Sequence, residues 1–77
     1  MQTKVKVSVK DIRKVADTLQ LRVVVRKQKF GFIQIDAEHQ QDITNIVESL
    51  NGAGFYAITD TVNTKRAFVS DVPWKAN

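Results

Sequence analysis

The fold is decided by residues 21–36, which read LRVVVRKQKFGFIQID. Two runs rich in β-branched and aromatic residues alternate with period 2 around a short polar link, a pattern typical of two adjacent strands. One side of the alternation is mainly aliphatic and is predicted to face the core: Leu21, Val23, Val25, Gly31, Ile33 and Ile35. The other side is predicted to be the open face of a sheet and places phenylalanines among arginines: Arg22, Val24, Arg26, Phe30, Phe32 and Gln34.

Two amphipathic helices are predicted on either side of this stretch. In the first, Ser8 and Asp11 have the spacing of a capping box, and apolar residues recur at helical spacing to about Thr18. The second helix is predicted to be capped by Asp36 and to end at Gly52, placed for the left-handed position after a helix. Its apolar stripe consists of Ile43, Ile46, Val47 and Leu50.

Five strands are predicted around these helices. They span Lys4–Val7, Leu21–Lys27, Phe30–Ile35, Phe55–Thr61 and Arg66–Ser70, the last as an edge strand. The order β-α-β-β-α-β with a final β predicts an α+β domain of ferredoxin-like type, with both helices on one face of an antiparallel sheet. The first and third strands are then central, so that Lys4 and Lys6 flank Phe30 and Phe32. The predicted core contains Val5, Val7, Ile12, Val15, Leu19, Val23, Val25, Ile33, Ile35, Ile43, Ile46, Val47 and Leu50.

Length and composition indicate one small globular domain. Residues 1–77 are too few for a second domain, and residues 71–77, which contain the only Pro and the only Trp, are interpreted as a tail or lid. There is no Cys, and no apolar run is long enough to span a membrane. We therefore expect a cytoplasmic protein without membrane contact.

Charge is distributed unevenly along the chain, whose formal net charge is +4. Residues 1–35 hold nine lysines and arginines and two aspartates, whereas residues 36–60 hold five acids and no lysine or arginine. A strongly basic half attracts phosphate groups or an acidic protein surface. Lysine and arginine also keep a small domain in solution, so the charge alone does not choose a partner.

One segment resembles the central-strand motif of RNA-recognition-motif domains, and it reads Lys29-Phe30-Gly31-Phe32-Ile33-Gln34-Ile35. Phe30, Gly31, Phe32 and Ile33 match that motif, whereas Gln28, Lys29 and Ile35 replace its basic residue, its glycine and its last aromatic residue. Leu50-Asn51-Gly52 resembles the end of the second helix of the family. The resemblance covers about a third of the chain and implies that Phe30 and Phe32 stack on bases. The predicted first strand, KVKV, lacks the companion aromatic residue of the family.

A second likeness is to small-ligand regulatory domains of the ACT type, which share the same order of elements. Those domains usually carry a glycine in the turn before the first helix, where an amino acid binds. The corresponding turn here is Val7-Ser8-Val9, without glycine. This likeness supports the fold and does not support a ligand site.

The sequence shows no arrangement of residues for catalysis or metal binding. His39 is the only histidine, and Asp36 and Glu38 beside it are predicted to be first-turn acids of the second helix. Asp36 and Asp60 would lie at the same end of the sheet, but strand ends are usually solvated, so both are interpreted as structural. The glycines at 52 and 54 follow a helix instead of preceding one, unlike a phosphate-binding loop. We expect no catalytic residue, cofactor or metal, and no enzymatic activity.

The sequence thus predicts a small binding module, with two hypotheses for its partner. In the first, single-stranded or RNA-like nucleic acid binds the open face, and Phe30 and Phe32 stack on bases. The basic residues predicted to join them are Lys4, Lys6, Arg22, Arg26, Lys27 and Lys29. In the second, the protein is a regulator or inhibitor, of the kind encoded by viruses or mobile elements, that binds an acidic protein surface, or a homodimer joined through the same face. The rings would then be covered by a partner or by Trp74.

Overall fold

The computed structural model describes residues 7–28 and 31–72, which form two helices and a four-stranded antiparallel sheet. The elements are α1 (Val9–Thr18), β1 (Val23–Lys27), β2 (Ile33–Ala37), α2 (Gln40–Gly52), β3 (Tyr56–Thr59) and β4 (Arg66–Ser70). The strand order is β1-β2-β4-β3, and every pair of neighbours is antiparallel. The predicted α+β class is therefore confirmed.

The position of β4 corrects the predicted edge strand at Arg66–Ser70. β4 lies inside the sheet between β2 and β3, and its Ala67 and Val69 are completely buried. Both sides of β2 are paired, with β1 and with β4, so β4 takes the place that the ferredoxin-like order gives to Lys4–Val7. That order is not confirmed, and residues 4–6 lie outside the described part of the chain.

The first helix forms as its sequence predicts. The Ser8 hydroxyl accepts a hydrogen bond from the backbone N–H of Asp11, and the Asp11 carboxylate accepts one from the backbone N–H of Ser8, which completes the capping box. The helix ends in a Schellman motif, in which Leu21 N donates to Ala16 O and Gln20 N donates to Asp17 O. Gln20 has a φ of 59°, so a non-glycine residue takes the left-handed position.

The predicted N-cap of the second helix and the predicted left-handed residue after it are both wrong, although the helix does end at Gly52. Its N-cap is His39, without a side-chain capping bond, and Asp36 lies in β2. Gly52 is the last helical residue, and the left-handed position after the C-cap belongs to Gly54, with φ +100°. Asp36 does not cap the helix because it lies within β2, before the N-cap position at His39, and its carboxylate binds a side chain of β4.

The core lies between the two helices and one face of the sheet. The inward alternation of β1 and β2 is confirmed, because Val25, Ile33 and Ile35 are buried. Gly31 is an exception, since it lies before β2 with φ +86° and is exposed. The buried cluster consists of Ile12, Ala16, Val25, Ile33, Ile35, Ile43, Ile46, Leu50, Ala57, Ala67 and Val69. Of the predicted core, Val7, Val15, Leu19, Val23 and Val47 pack against this cluster while half-buried, and Val5 lies outside the described residues.

The outer edge of β3 is occupied by a side chain from the end of α2. The backbone N–H of Ala57 donates to Asn51 Oδ1 at 2.8 Å, and Asn51 Nδ2 donates to Ala57 O at 3.0 Å. In an antiparallel pair every second residue directs its backbone groups away from its partner strand. Asp60 N donates to Arg66 O, so this alternation directs the backbone groups of Ala57 away from β4 and toward Asn51.

Candidate functional site

The sheet face opposite the helices, here called the open face, is built by the residues that alternate with the buried ones. Its side chains come from all four strands: Val24 and Arg26 of β1, Gln34 and Asp36 of β2, Arg66 and Phe68 of β4, and Tyr56 and Ile58 of β3, with Gln28 and Phe32 beside the strand ends. The register places Arg26, Gln34, Phe68 and Ile58 in one row across the sheet.

Aromatic and aliphatic side chains cover the β3–β4 part of the open face. The rings of Phe32 and Phe68 meet edge to face, with centroids 5.6 Å apart and an interplanar angle of 90°. Both phenylalanines are half-buried, whereas Tyr56 and Ile58 are 40% and 41% exposed. Edge-to-face contact is a preferred geometry of aromatic pairs, so each ring restricts the orientation of the other.

A chain of hydrogen bonds runs along β2 beside the aromatic pair. Gln28 Nε2 donates to Gln34 Oε1 at 3.2 Å, and Gln34 Nε2 donates to Asp36 Oδ2 at 2.7 Å. The second carboxylate oxygen, Asp36 Oδ1, accepts from Arg66 Nε at 2.7 Å. These polar side chains are therefore fixed by one another and separate the aromatic part of the open face from β1.

The carboxylate of Asp36 is held in its charged form. Partial burial alone would raise the pKa of Asp36 above its ordinary value of 3.8, but hydrogen bonds from Arg66 and Gln34 and the charges of Arg66 and Arg26 outweigh it. The net result is a lowered pKa for Asp36, while the same pair raises the pKa of Arg66. Asp36 is thus a structural anion in the middle of a face otherwise bordered by arginines.

The structure brings only some of the predicted site residues together. Arg22 and Arg26 are exposed next to the open face, and Phe32 lies on it. Lys27 is exposed at the end of β1. The alternation along the strand places it on the helix side of the sheet, whereas Arg26 lies on the open face. Lys4, Lys6, Lys29 and Phe30 lie outside the described residues.

The start of β2 differs from the motif that the sequence resembles. In RNA-recognition-motif domains the aromatic residues stand within a strand, whereas β2 begins at Ile33 and Gly31 adopts a left-handed conformation before it. The resemblance is therefore not supported over Gly31 and Phe32. Phe32 nevertheless joins the open face, because its backbone oxygen still accepts a hydrogen bond from Gln28 N at 2.9 Å.

Sequence reasoning missed Phe68, Tyr56 and Ile58 as site residues. The signal was the alternation in β3 and β4, where Ala57, Ala67 and Val69 are buried and the residues between them point the other way. Because Arg66–Ser70 was predicted to be an edge strand, its alternation was not used to assign residues to the open face. As a result, the aromatic contact partner of Phe32 was not recognised.

His39 and Asp60 have local positions in the fold. His39 is exposed at the start of α2, and Asp60 Oδ1 accepts a hydrogen bond from Val62 N in the turn between β3 and β4. Over residues 7–28 and 31–72, no cluster of three or more histidine, cysteine or acidic side chains could hold a metal ion. Neither helix in this part of the chain has the length and apolar character needed to cross a membrane.

Comparison with known proteins does not extend this description. The chain matches no protein-family model, no curated protein and no solved structure.

Proposed function

We propose that the protein binds single-stranded nucleic acid on the open face. The observation that supports this proposal most directly is the edge-to-face pair of Phe32 and Phe68 on a sheet face flanked by Arg22 and Arg26. Aromatic rings offer stacking to any base, and neighbouring cations attract the phosphates, which together give sequence-tolerant binding of single strands.

Phe68 occupies the centre of this proposed platform. It lies between Gln34 of β2 and Ile58 of β3 in the register of the sheet. Because its ring orientation is already restricted by Phe32, stacking on a base costs little additional side-chain freedom. Tyr56 lies in the neighbouring row on β3 and supplies a third aromatic ring.

The size of the open face suits a short stretch of bases. Four strands of four or five residues present about 300 Å² in projection. A four-stranded sheet of an RNA-recognition motif stacks two or three bases on one face. A face of this size is therefore large enough for a few nucleotides.

The experiment is a fluorescence-anisotropy titration of a labelled single-stranded oligonucleotide of about 8 nucleotides at several salt concentrations. Phe68→Leu keeps an apolar side chain but removes the ring, so it should weaken binding by about 1–3 kcal/mol, or ~5-fold and more, without changing the salt dependence. Arg26→Gln should instead lower the salt dependence by about 0.7 units of log K per log salt.

Ile58→Ala is the matched control on the same face, because it removes side-chain volume without removing a ring. It should bind the oligonucleotide within about twofold of the unmodified protein, since stacking needs a π face. If Phe68→Leu and Phe32→Leu both bind like the unmodified protein, the open face is not a stacking platform.

A second candidate function is self-association through the same face, which the exposure of Val24, Tyr56 and Ile58 favours. These side chains are 52%, 40% and 41% exposed, and a two-fold dimer would cover them symmetrically. Sedimentation equilibrium tests this directly: a dimer that Ile58→Asp converts to a monomer would support it, and a monomer at every concentration would exclude it.

A further inference from the structure

A continuous row of exposed cations leads from the open face around β1 onto α1. Its members, here called the basic strip, are Lys10, Arg13, Lys14, Arg22 and Arg26, all of them exposed. α1 packs directly against β1, so residues that are distant in the chain become neighbours on this flank of the molecule.

Shallow depressions connect four members of the strip, and the fifth, Arg26, lies on β1 four residues after Arg22. Lys10, Arg13 and Lys14 border one of about 510 Å³ on α1. Arg13 also borders a second, of about 360 Å³, together with Arg22 at the boundary between α1 and β1. Arg22 in turn borders a third, of about 350 Å³, beside Val24 at the end of the open face. The shared residues make the surface continuous from helix to sheet.

The two helices differ in charge, because α1 carries three cations and two aspartates, Asp11 and Asp17, whereas α2 carries acids alone. Asp17 borders two of the depressions along the strip, while Asp36 and Glu38 border the depression beside Arg22. Asp36 is already paired with Arg66. The second helix, α2, carries Asp42 and Glu48 and no lysine or arginine. A polyanion on the open face is therefore attracted toward α1 and repelled from α2.

We propose that the basic strip is the path of the phosphate backbone of a longer single strand, which leaves the open face near Arg26 and passes Arg22 and Arg13 to reach Lys14 on α1. This proposal rests on the proposed function, because the sheet must hold the bases at one end of the path. It makes binding length-dependent: short oligonucleotides contact the sheet alone, and longer ones also neutralise the cations of α1.

The test compares oligonucleotides of about 4 and about 12 nucleotides, within the range of known single-strand sites. Arg13→Gln and Lys14→Gln should each weaken the longer strand several-fold at low salt and reduce its salt slope by about 0.7, with unchanged affinity for the shorter strand. Lys65→Gln is the matched control, since it removes one exposed charge outside the strip and should leave the preference for length unchanged.

The outcomes separate this path from the proposed function. If Phe68→Leu weakens the shorter strand but Arg13→Gln affects both lengths equally, or no more than Lys65→Gln, the sheet platform stands and the path over α1 is wrong. If neither Phe68→Leu nor Phe32→Leu weakens binding of the shorter strand, both proposals fail. If a duplex of 12 base pairs binds as tightly as the longer single strand, the strip is not a single-strand path.

Discussion

Asp36 and Arg66 form an ion pair across the two central strands, with 2.7 Å between Asp36 Oδ1 and Arg66 Nε. The two residues are 30 positions apart in the chain and are direct partners in the register of β2 and β4. The pair fixes the polar row of the open face and links the strand before α2 to the last strand. It also couples the stability of the fold to pH.

We expect this coupling to appear as a loss of stability in acid. The pKa of Asp36 is lowered in the folded protein, so the pair contributes its full stabilisation above about pH 5. As the pH falls below the ordinary value of 3.8, the unfolded chain takes up the proton first, and the contribution is lost as the pH passes the folded pKa. Urea denaturation between pH 7 and pH 2.5 measures this change.

Asp36→Asn and Arg66→Gln provide the comparison for this prediction. Each variant should be less stable than the unmodified protein at pH 7, and the difference should shrink toward low pH because the carboxylate no longer binds the guanidinium. The double variant should lose less than the two single losses combined, since the residues are in contact. If the difference in stability between each variant and the unmodified protein stays constant from pH 7 to pH 2.5, protonation of Asp36 does not account for the loss of stability in acid.

The core depends on Ile46, which is completely buried in α2. Ile46→Ala should reduce the free energy of unfolding by about 2–5 kcal/mol, and Ile46→Val by about 0.5–1.5 kcal/mol, because each leaves unfilled space under the helix. A domain of this size has roughly 4–12 kcal/mol in total, so the alanine variant should be near unfolding. Thermal denaturation followed by circular dichroism checks both values.

Val62→Ala is the control for the core substitution, since Val62 is 92% exposed in the turn between β3 and β4. Its effect should stay within about 0.5 kcal/mol. Equal losses at positions 46 and 62 would contradict the assignment of the core.

Both helices are followed by a residue in the left-handed region, so glycine should be favoured at both positions. Gln20 holds the left-handed position after α1 with φ 59°, where a side chain is disfavoured. Gln20→Gly should therefore raise the free energy of unfolding by about 0.5–1 kcal/mol, after allowing for the greater freedom of glycine in the unfolded chain. This gain corresponds to roughly 2–8 °C in the midpoint of thermal unfolding.

Gly54→Ala is the reciprocal change at the end of α2. A Cβ atom at Gly54 would meet no atom within 4 Å, so its cost comes from the backbone conformation at φ +100° alone. We expect a loss of about 1 kcal/mol, measured in the same thermal scan. If Gln20→Gly destabilises and Gly54→Ala does not, the left-handed positions have been wrongly placed.

Removal of the Asn51 side chain tests the contact at the edge of β3. Asn51→Ala leaves the N–H and C=O of Ala57 without these partners, and we expect a loss of about 1–3 kcal/mol in urea denaturation. Asn51→Asp keeps the acceptor for the Ala57 N–H but lacks the donor, so it should fall between the unmodified protein and the alanine variant. A neutral Asn51→Ala would mean that water replaces the amide at no cost.

The local features of this fold are those that the sequence predicts well. Alternation in residues 21–36 separates buried Val25, Ile33 and Ile35 from exposed Val24 and Arg26, because sheet geometry imposes that period directly. The capping box at Ser8 is likewise a contact over three residues, determined by the sequence between them.

Features that depend on distant residues were not predictable in the same way. The carboxylate of Asp36 has the chemistry of a helix cap, but Arg66, 30 residues later, binds it. The order of the strands depends on where β4 pairs in the sheet, and the alternation of residues within a strand does not determine that position. The aromatic pair of Phe32 and Phe68 follows from this order, so their contact could be identified only in the assembled sheet.

The amide of Asn51 has a consequence for how copies of this chain can associate. Growth of a sheet from molecule to molecule requires two open edges, one to add to the preceding copy and one to receive the next. The Asn51 side chain already occupies the backbone N–H and C=O of Ala57, so another strand could pair along this part of the β3 edge only by displacing it. Within the described residues, one side chain thus opposes the addition of another copy at the middle of β3.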